Sequence, residues 1–129
     1  RNGNILMQFS SPILPGLGLG KKIGFPTLNF DATRAPKSLQ EGIYSVDVKL
    51  EKTSFHGVMH YGPRPAIGDR KKSLEVHVID EPFLQTPRAA TIIVKKRIRA
   101  IRACKTLQQL TKLIAGDIRA AKKLIAADS

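Results

Sequence analysis

Residues 16 to 29 gather the residue types that handle phosphate. Gly16, Gly18, Gly20 and Gly24 let a backbone come close to a polyanion with no Cβ in the way, and the amides so freed can turn inward as an anion nest. Lys21 and Lys22 add compact positive charge, and Pro26 stiffens the turn that follows. The Thr27 hydroxyl and the Asn29 amide oxygen are hard ligands of the kind magnesium prefers. The spacing is not that of a Walker A loop, since G-x-x-x-x-G-K-[ST] occurs nowhere in the chain. Glycine and proline in such a run would also make a plain surface loop between strands.

A second cluster lies in SLEVHVID, residues 73 to 80, where Leu74, Val76 and Val78 alternate with Glu75, His77 and Ile79. On a strand this puts Glu75 and His77 on the face opposite the apolar one, looking either to solvent or into a cavity. A carboxylate and an imidazole two residues apart could share a metal, while a packed or hydrogen-bonded strand histidine fits the same spacing and is the reading preferred here.

The run GKKIGFPTLNF, residues 20 to 30, resembles the signature of the riboflavin kinase family, G-[KR]-x-[IL]-G-F-P-T-x-N, through Gly20, Lys21, Ile23, Gly24, Phe25, Pro26, Thr27 and Asn29. The likeness continues in order: EGIYSV (41 to 46) resembles the family's P-x-G-V-Y-x-V strand, HGVMHYGPRPA (56 to 66) its G-V-x-N-I-G-x-R-P-T, and SLEVHVID its T-x-E-x-H-[IL]-[LM]-D strand. The terminal TLQQLTKLIAGDIRAAKKLI resembles the family's closing helix, so the resemblance spans about residues 9 to 126.

That resemblance implies a riboflavin kinase, moving the γ-phosphate of ATP to the riboflavin 5′-hydroxyl to make FMN, with Mg2+ as cofactor. It implies Glu75 as the base that relieves the acceptor alcohol of its proton, a step such a weak nucleophile needs. By the same carry-over Gly16 and Lys21 meet the ATP phosphates, Thr27 touches both phosphate and metal, and Asn29 completes the metal site. Arg99, in KKRIRAIRAC, occupies the family's L-R-x-E arginine and would sit by the flavin. Bacterial members are often fused behind an adenylyltransferase domain, and Arg1 in place of Met fits a piece of such a polypeptide, with residues 1 to 8 as a tail or linker end.

Several positions depart from the family pattern. Leu28 stands for the usual Ala, His60 for Asn, Ala66 for Thr, Leu84 to Pro87 for Asp-Leu-Tyr-Gly, and Ile101 and Cys104 for a Glu and a Phe after Arg99. The losses on the flavin side leave a second reading open, a noncatalytic basic barrel that binds nucleotide, flavin or nucleic acid.

The elements that must position these residues are mostly strands. Period-two alternation runs through Tyr44, Val46, Val48 and Leu50 and again through Leu74, Val76 and Val78, and Thr91 to Val94 is a β-branched run. Breaks at residues 62 to 69 and 81 to 87 carry prolines, which cannot donate within a ladder. From Thr106 the period turns helical, with Leu107, Leu110, Leu113, Ile114, Ile118, Ala121, Leu124 and Ile125 on one broad face, and Thr106 with Gln109 forms a capping box. The pattern predicts about six strands and a terminal helix, a closed antiparallel barrel plugged or flanked by that helix. The resemblance sharpens this to a mainly β, six-stranded Greek-key barrel.

At 129 residues and 42% hydrophobic content the chain reads as one domain, residues 1 to 129. A single cysteine, Cys104, excludes an internal disulfide, no apolar run is long enough for a membrane span, and no signal peptide opens the chain, so the expected compartment is the cytoplasm. The net charge of +12 would concentrate polyanions near the surface. Six cations, Arg88, Lys95, Lys96, Arg97, Arg99 and Arg102, crowd one stretch, where on a strand they would partly alternate between faces instead of forming one stripe; the plain reading is a solvated strand edge that discourages aggregation. Aromatics make up 5% and Trp is absent, so stacking platforms are few and nucleic acid is not an expected partner. A barrel without free edges needs no partner strand, and the expected state is a monomer.

Overall fold

Alternation becomes architecture through hydrogen-bonded pairing. In a computed structural model, which describes residues 6–14, 27–63, 71–79 and 88–128, six strands close on themselves. They are β1 (Met7–Leu14), β2 (Thr27–Phe30), β3 (Gly42–Lys49), β4 (Ser54–Pro63), β5 (Lys72–Val78) and β6 (Ala89–Arg99), followed by one helix, α1 (Leu107–Asp128). A 3-10 turn (Ala32–Arg34) follows β2, started by Asp31, whose Oδ1 accepts from the Thr33 amide at 3.0 Å.

Around the barrel the order is β1-β2-β5-β4-β3-β6, with β6 pairing back to β1 and every pair antiparallel. The meander β3-β4-β5 with β6 returning beside β3 is a Greek key. Closure gives β6 a neighbour on both sides, β1 and β3, so its cations do not sit on a strand edge and that expectation is corrected.

The apolar faces fill the interior as the alternation predicts. Tyr44, Val46, Val48, Leu74, Val76 and Val78 are buried there with Leu28, Phe30, Met59, Ile92 and Val94. A fully buried Leu, Ile, Val or Met contributes roughly 1.5–3 kcal/mol, so the fully buried Val46, Val48, Met59, Leu74, Val76, Ile92 and Val94 are the main apolar contribution to holding the wall closed. One close approach is possible only without a side chain: a Cβ on Gly57 would stand 2.5 Å from Val76 Cγ1 and 3.0 Å from the His77 carbonyl oxygen.

The helix α1 flanks the barrel. Its Leu110, Ile114, Ile118 and Ala121 pack on Ile43 and Val58, outward-facing residues of β3 and β4, with Ile98, Ile101 and Cys104 at the margin. One expectation for this face needs correction, since Leu107 is 52% exposed; the buried stripe also contains an acid, Asp117. No helix among the described residues is long and apolar enough to cross a membrane.

Candidate functional site

Register decides which polar residues meet. Across β2 and β5, Thr27 stands opposite His77 and Asn29 opposite Glu75. Across β5 and β4, Glu75 faces His60 and His77 faces Val58. Directly opposed residues share a face, and the intervening Leu28, Val76 and Met59 fill the core, so Thr27, Asn29, Glu75, His77 and His60 form one polar field on the outer wall. Beyond His60 the same row continues to Ile43 on β3 and Arg99 on β6.

Although it faces outward, Glu75 is only 7% exposed and His77 only 8%. The structure thus places Glu75 on the wall opposite the core but shielded from water, as the sequence left open. His77 Nδ1 lies 3.1 Å from Thr27 Oγ1, the hydrogen-bonded histidine that the alternation allowed. Burial pushes the His77 imidazole down to about 4, with the nearby His60 charge adding to the fall, so the ring is neutral at pH 7. His60 Nδ1 lies 3.3 Å from Ser73 Oγ, which donates to the Gly62 carbonyl at 3.1 Å.

Asn29 supplies the test of whether a cation fits. Its Oδ1 is buried with no hydrogen-bond partner, a costly arrangement in a metal-free wall and an apt one for a ligand oxygen. Thr27, two residues earlier on the same strand face, adds a hydroxyl oxygen. Among the described residues there is no group of three or more His, Cys, Asp and Glu that could cage a metal. A hydroxyl and an amide oxygen are hard donors of the kind magnesium takes.

Arg99 is engaged elsewhere. Its Nε and Nη2 donate to the two carboxylate oxygens of Asp117 on α1, each at 2.7 Å, and Nη1 donates to the Ala100 carbonyl at 3.0 Å. With neighbouring strands about 4.8 Å apart, it stands roughly 14 Å around the wall from Glu75. Ile101 and Cys104 pack beside α1, so these two departures from the family pattern have a packing role here. Gly16 and Lys21 lie outside the described residues, as do Ala66 and Leu84 to Pro87. Asp117 was not singled out in the sequence; the one signal was an acid between Ile114 and Ile118 in a mostly basic helix.

A family model described as Flavokinase, riboflavin kinase, matches residues 5–125. The chain belongs to the riboflavin kinase family. The bifunctional riboflavin kinase/FMN adenylyltransferase of Pseudomonas fluorescens is 33% identical over 120 residues, covering 92% of this chain and 38% of that protein. Its Escherichia coli K12 counterpart is 32% identical over 109 residues, covering 84% and 34%. The RNA-binding riboflavin kinase RibR of Bacillus subtilis is 33% identical over 114 residues, covering 86% and 48%. This member of the riboflavin kinase family therefore spans less than half the length of each of these relatives.

Two solved structures share the fold. The riboflavin kinase of Trypanosoma brucei superposes with a TM-score of 0.58 at 18% identity, covering 92% of this chain and 79% of that one. A Streptococcus pneumoniae protein described as a macrolide-efflux protein gives 0.73 at 19% identity, covering 89% and 38%.

Proposed function

We propose that these 129 residues carry out phosphoryl transfer from ATP to the riboflavin 5′-hydroxyl, the kinase half of what the names of the bifunctional relatives describe. The observation that carries the reading is the pairing of a shielded carboxylate, Glu75, directly across from Asn29 with its unpartnered buried oxygen. A base and a cation ligand side by side are what transfer to an alcohol requires: one takes the proton, the other helps hold the phosphates.

Glu75 would accept the proton of the 5′-hydroxyl as the new P–O bond forms, and its shielding keeps competing water from that carboxylate. Thr27 and Asn29 would hold magnesium, which when bound offsets the charge on the phosphate oxygens. Gly16 and Lys21 would meet those phosphates from the segment that leads into Thr27. Arg99 would serve the flavin side, and its grip on Asp117 ties that end of β6 to α1.

The test is chromatographic. Incubated with riboflavin, ATP and magnesium, the chain should form FMN, while Glu75→Gln should form none and still bind ATP with nearly the parent affinity, because the base acts on the acceptor. Equal loss of turnover and ATP affinity would remove Glu75 from that role. A parent that binds ATP but makes no FMN would turn the reading to a noncatalytic nucleotide-binding barrel.

A further inference from the structure

A threonine hydroxyl that must meet a cation has a problem of aim. Its Cβ–Oγ bond can occupy alternative staggered wells, and its one proton can point anywhere around the oxygen. Thr27 is the first residue of the four-residue strand β2, so its backbone is placed by the strand but its side chain is aimed only by what it bonds. One group that holds it on the wall is His77, its cross-strand partner, with Nδ1 3.1 Å from Thr27 Oγ1. His77 is itself fixed, 8% exposed between Thr27 and the apolar Val58, with its backbone pressed against Gly57 so closely that a Cβ there would lie 3.0 Å from the His77 carbonyl oxygen.

The direction of that hydrogen bond matters. If Nδ1–H donated, it would occupy a lone pair of the Thr27 oxygen and leave the hydroxyl proton free to point at an approaching cation. If Nδ1 accepts, the proton is drawn toward the imidazole and the oxygen's electron pairs are left for the metal. Resting on the phosphotransferase reading, we propose that His77 is a positioning residue: its Nδ1 accepts the Thr27 hydroxyl proton in a hydrogen bond and presents the Thr27 oxygen to the magnesium of the nucleotide. The role is of the kind that outer partners play at metal sites, where their loss typically weakens metal affinity about 10–100-fold. Nothing in the Glu75 and Asn29 pairing requires it, so it can fail while that pairing stands.

Two measurements decide it. A long-range 1H–15N correlation spectrum of the unliganded chain at neutral pH should show His77 as the Nε2–H tautomer; the Nδ1–H tautomer would overturn the proposal without touching the kinase reading. Calorimetric titration with ATP, with and without magnesium, should show His77→Leu losing about tenfold or more of the affinity that magnesium adds, with metal-free ATP affinity nearly unchanged. His77→Asn, which keeps an acceptor near the Nδ1 position, should recover most of the gain. A folded Leu variant that keeps the full magnesium gain, or that loses metal-free affinity equally, overturns the role of His77 alone. A parent chain whose ATP affinity does not respond to magnesium overturns this role and the phosphotransferase reading together.

Discussion

His77 shows how one side chain can report on its surroundings. Its folded value, about 4, lies below the ordinary 6.5. Between these limits the unfolded chain binds a proton that the folded chain refuses, so stability falls as pH drops from about 6.5 to about 4 and changes no further below that from this group. The shift corresponds to roughly 3 kcal/mol. Urea unfolding at pH 7, 5.5 and 4.5 should show this loss in the parent and a shallower one in His77→Asn; parallel slopes would show that His77 titrates normally. Asn29 makes the complementary prediction. Asn29→Ala should raise the magnesium needed for half-maximal FMN formation about tenfold, yet cost no stability in the absence of metal, since the oxygen it removes has no hydrogen-bond partner. An unchanged magnesium titration would take Asn29 out of the site. The faces of these residues were legible because a spacing of two puts Thr27 with Asn29, and Glu75 with His77, on one side of a strand. The shielding of Glu75 was not, because it depends on Asn29 and His60 arriving on either side from strands distant in the chain.

Elements differ in how much of their placement is local. The start of α1 was legible because its cap is made by neighbours: the Gln109 amide donates to Thr106 Oγ1 at 3.1 Å, and Gln109 Oε1 accepts from the Lys105 amide at 2.8 Å. The apolar face was legible in its middle and wrong at Leu107, where the barrel wall no longer covers the helix. Asp117 could not be assigned from sequence, since its partner Arg99 sits on another element and comes to it only when α1 docks. That pair is bidentate and its carboxylate is nearly enclosed, so Asp117→Asn leaves the guanidinium without its counter-charge. Denaturant unfolding should show a loss of about 3 kcal/mol; a loss below about 1 kcal/mol would mean the pair behaves as a surface ion pair. Gly57→Ala tests the wall itself. Its methyl would meet Val76 Cγ1 and the His77 carbonyl, forcing β4 from β5, and a cost of about 1–3 kcal/mol is expected.

At the scale of the molecule, closure and charge distribution are separate matters. The strand number and the terminal helix follow from alternation and period, and the Greek-key order follows from the family resemblance, but no local pattern says which face of the barrel collects the charge. Residues 88–129 hold eleven Lys and Arg against two acids, Asp117 and Asp128, so +9 of the net +12 lies in the β6 and α1 third of the chain. Asp117 is spent on Arg99, while Lys112, Arg119, Lys122 and Lys123 are exposed, and the solvent side of α1 from 107 to 127 has no carboxylate to balance them. The apolar side of α1 is already packed on the barrel, so this surface acts through its field, which should draw ATP, itself a polyanion, toward the protein before any contact forms. The association rate of ATP, followed by stopped flow, should therefore fall about tenfold between roughly 20 and 200 mM salt, while dissociation changes little. Replacing Lys112, Arg119 and Lys123 together with Gln should lower the low-salt rate and flatten its salt dependence without altering dissociation, because none of the three is part of the Thr27, Asn29 and Glu75 field. A parent rate indifferent to salt would show that the exposed cations of α1 do not steer ATP.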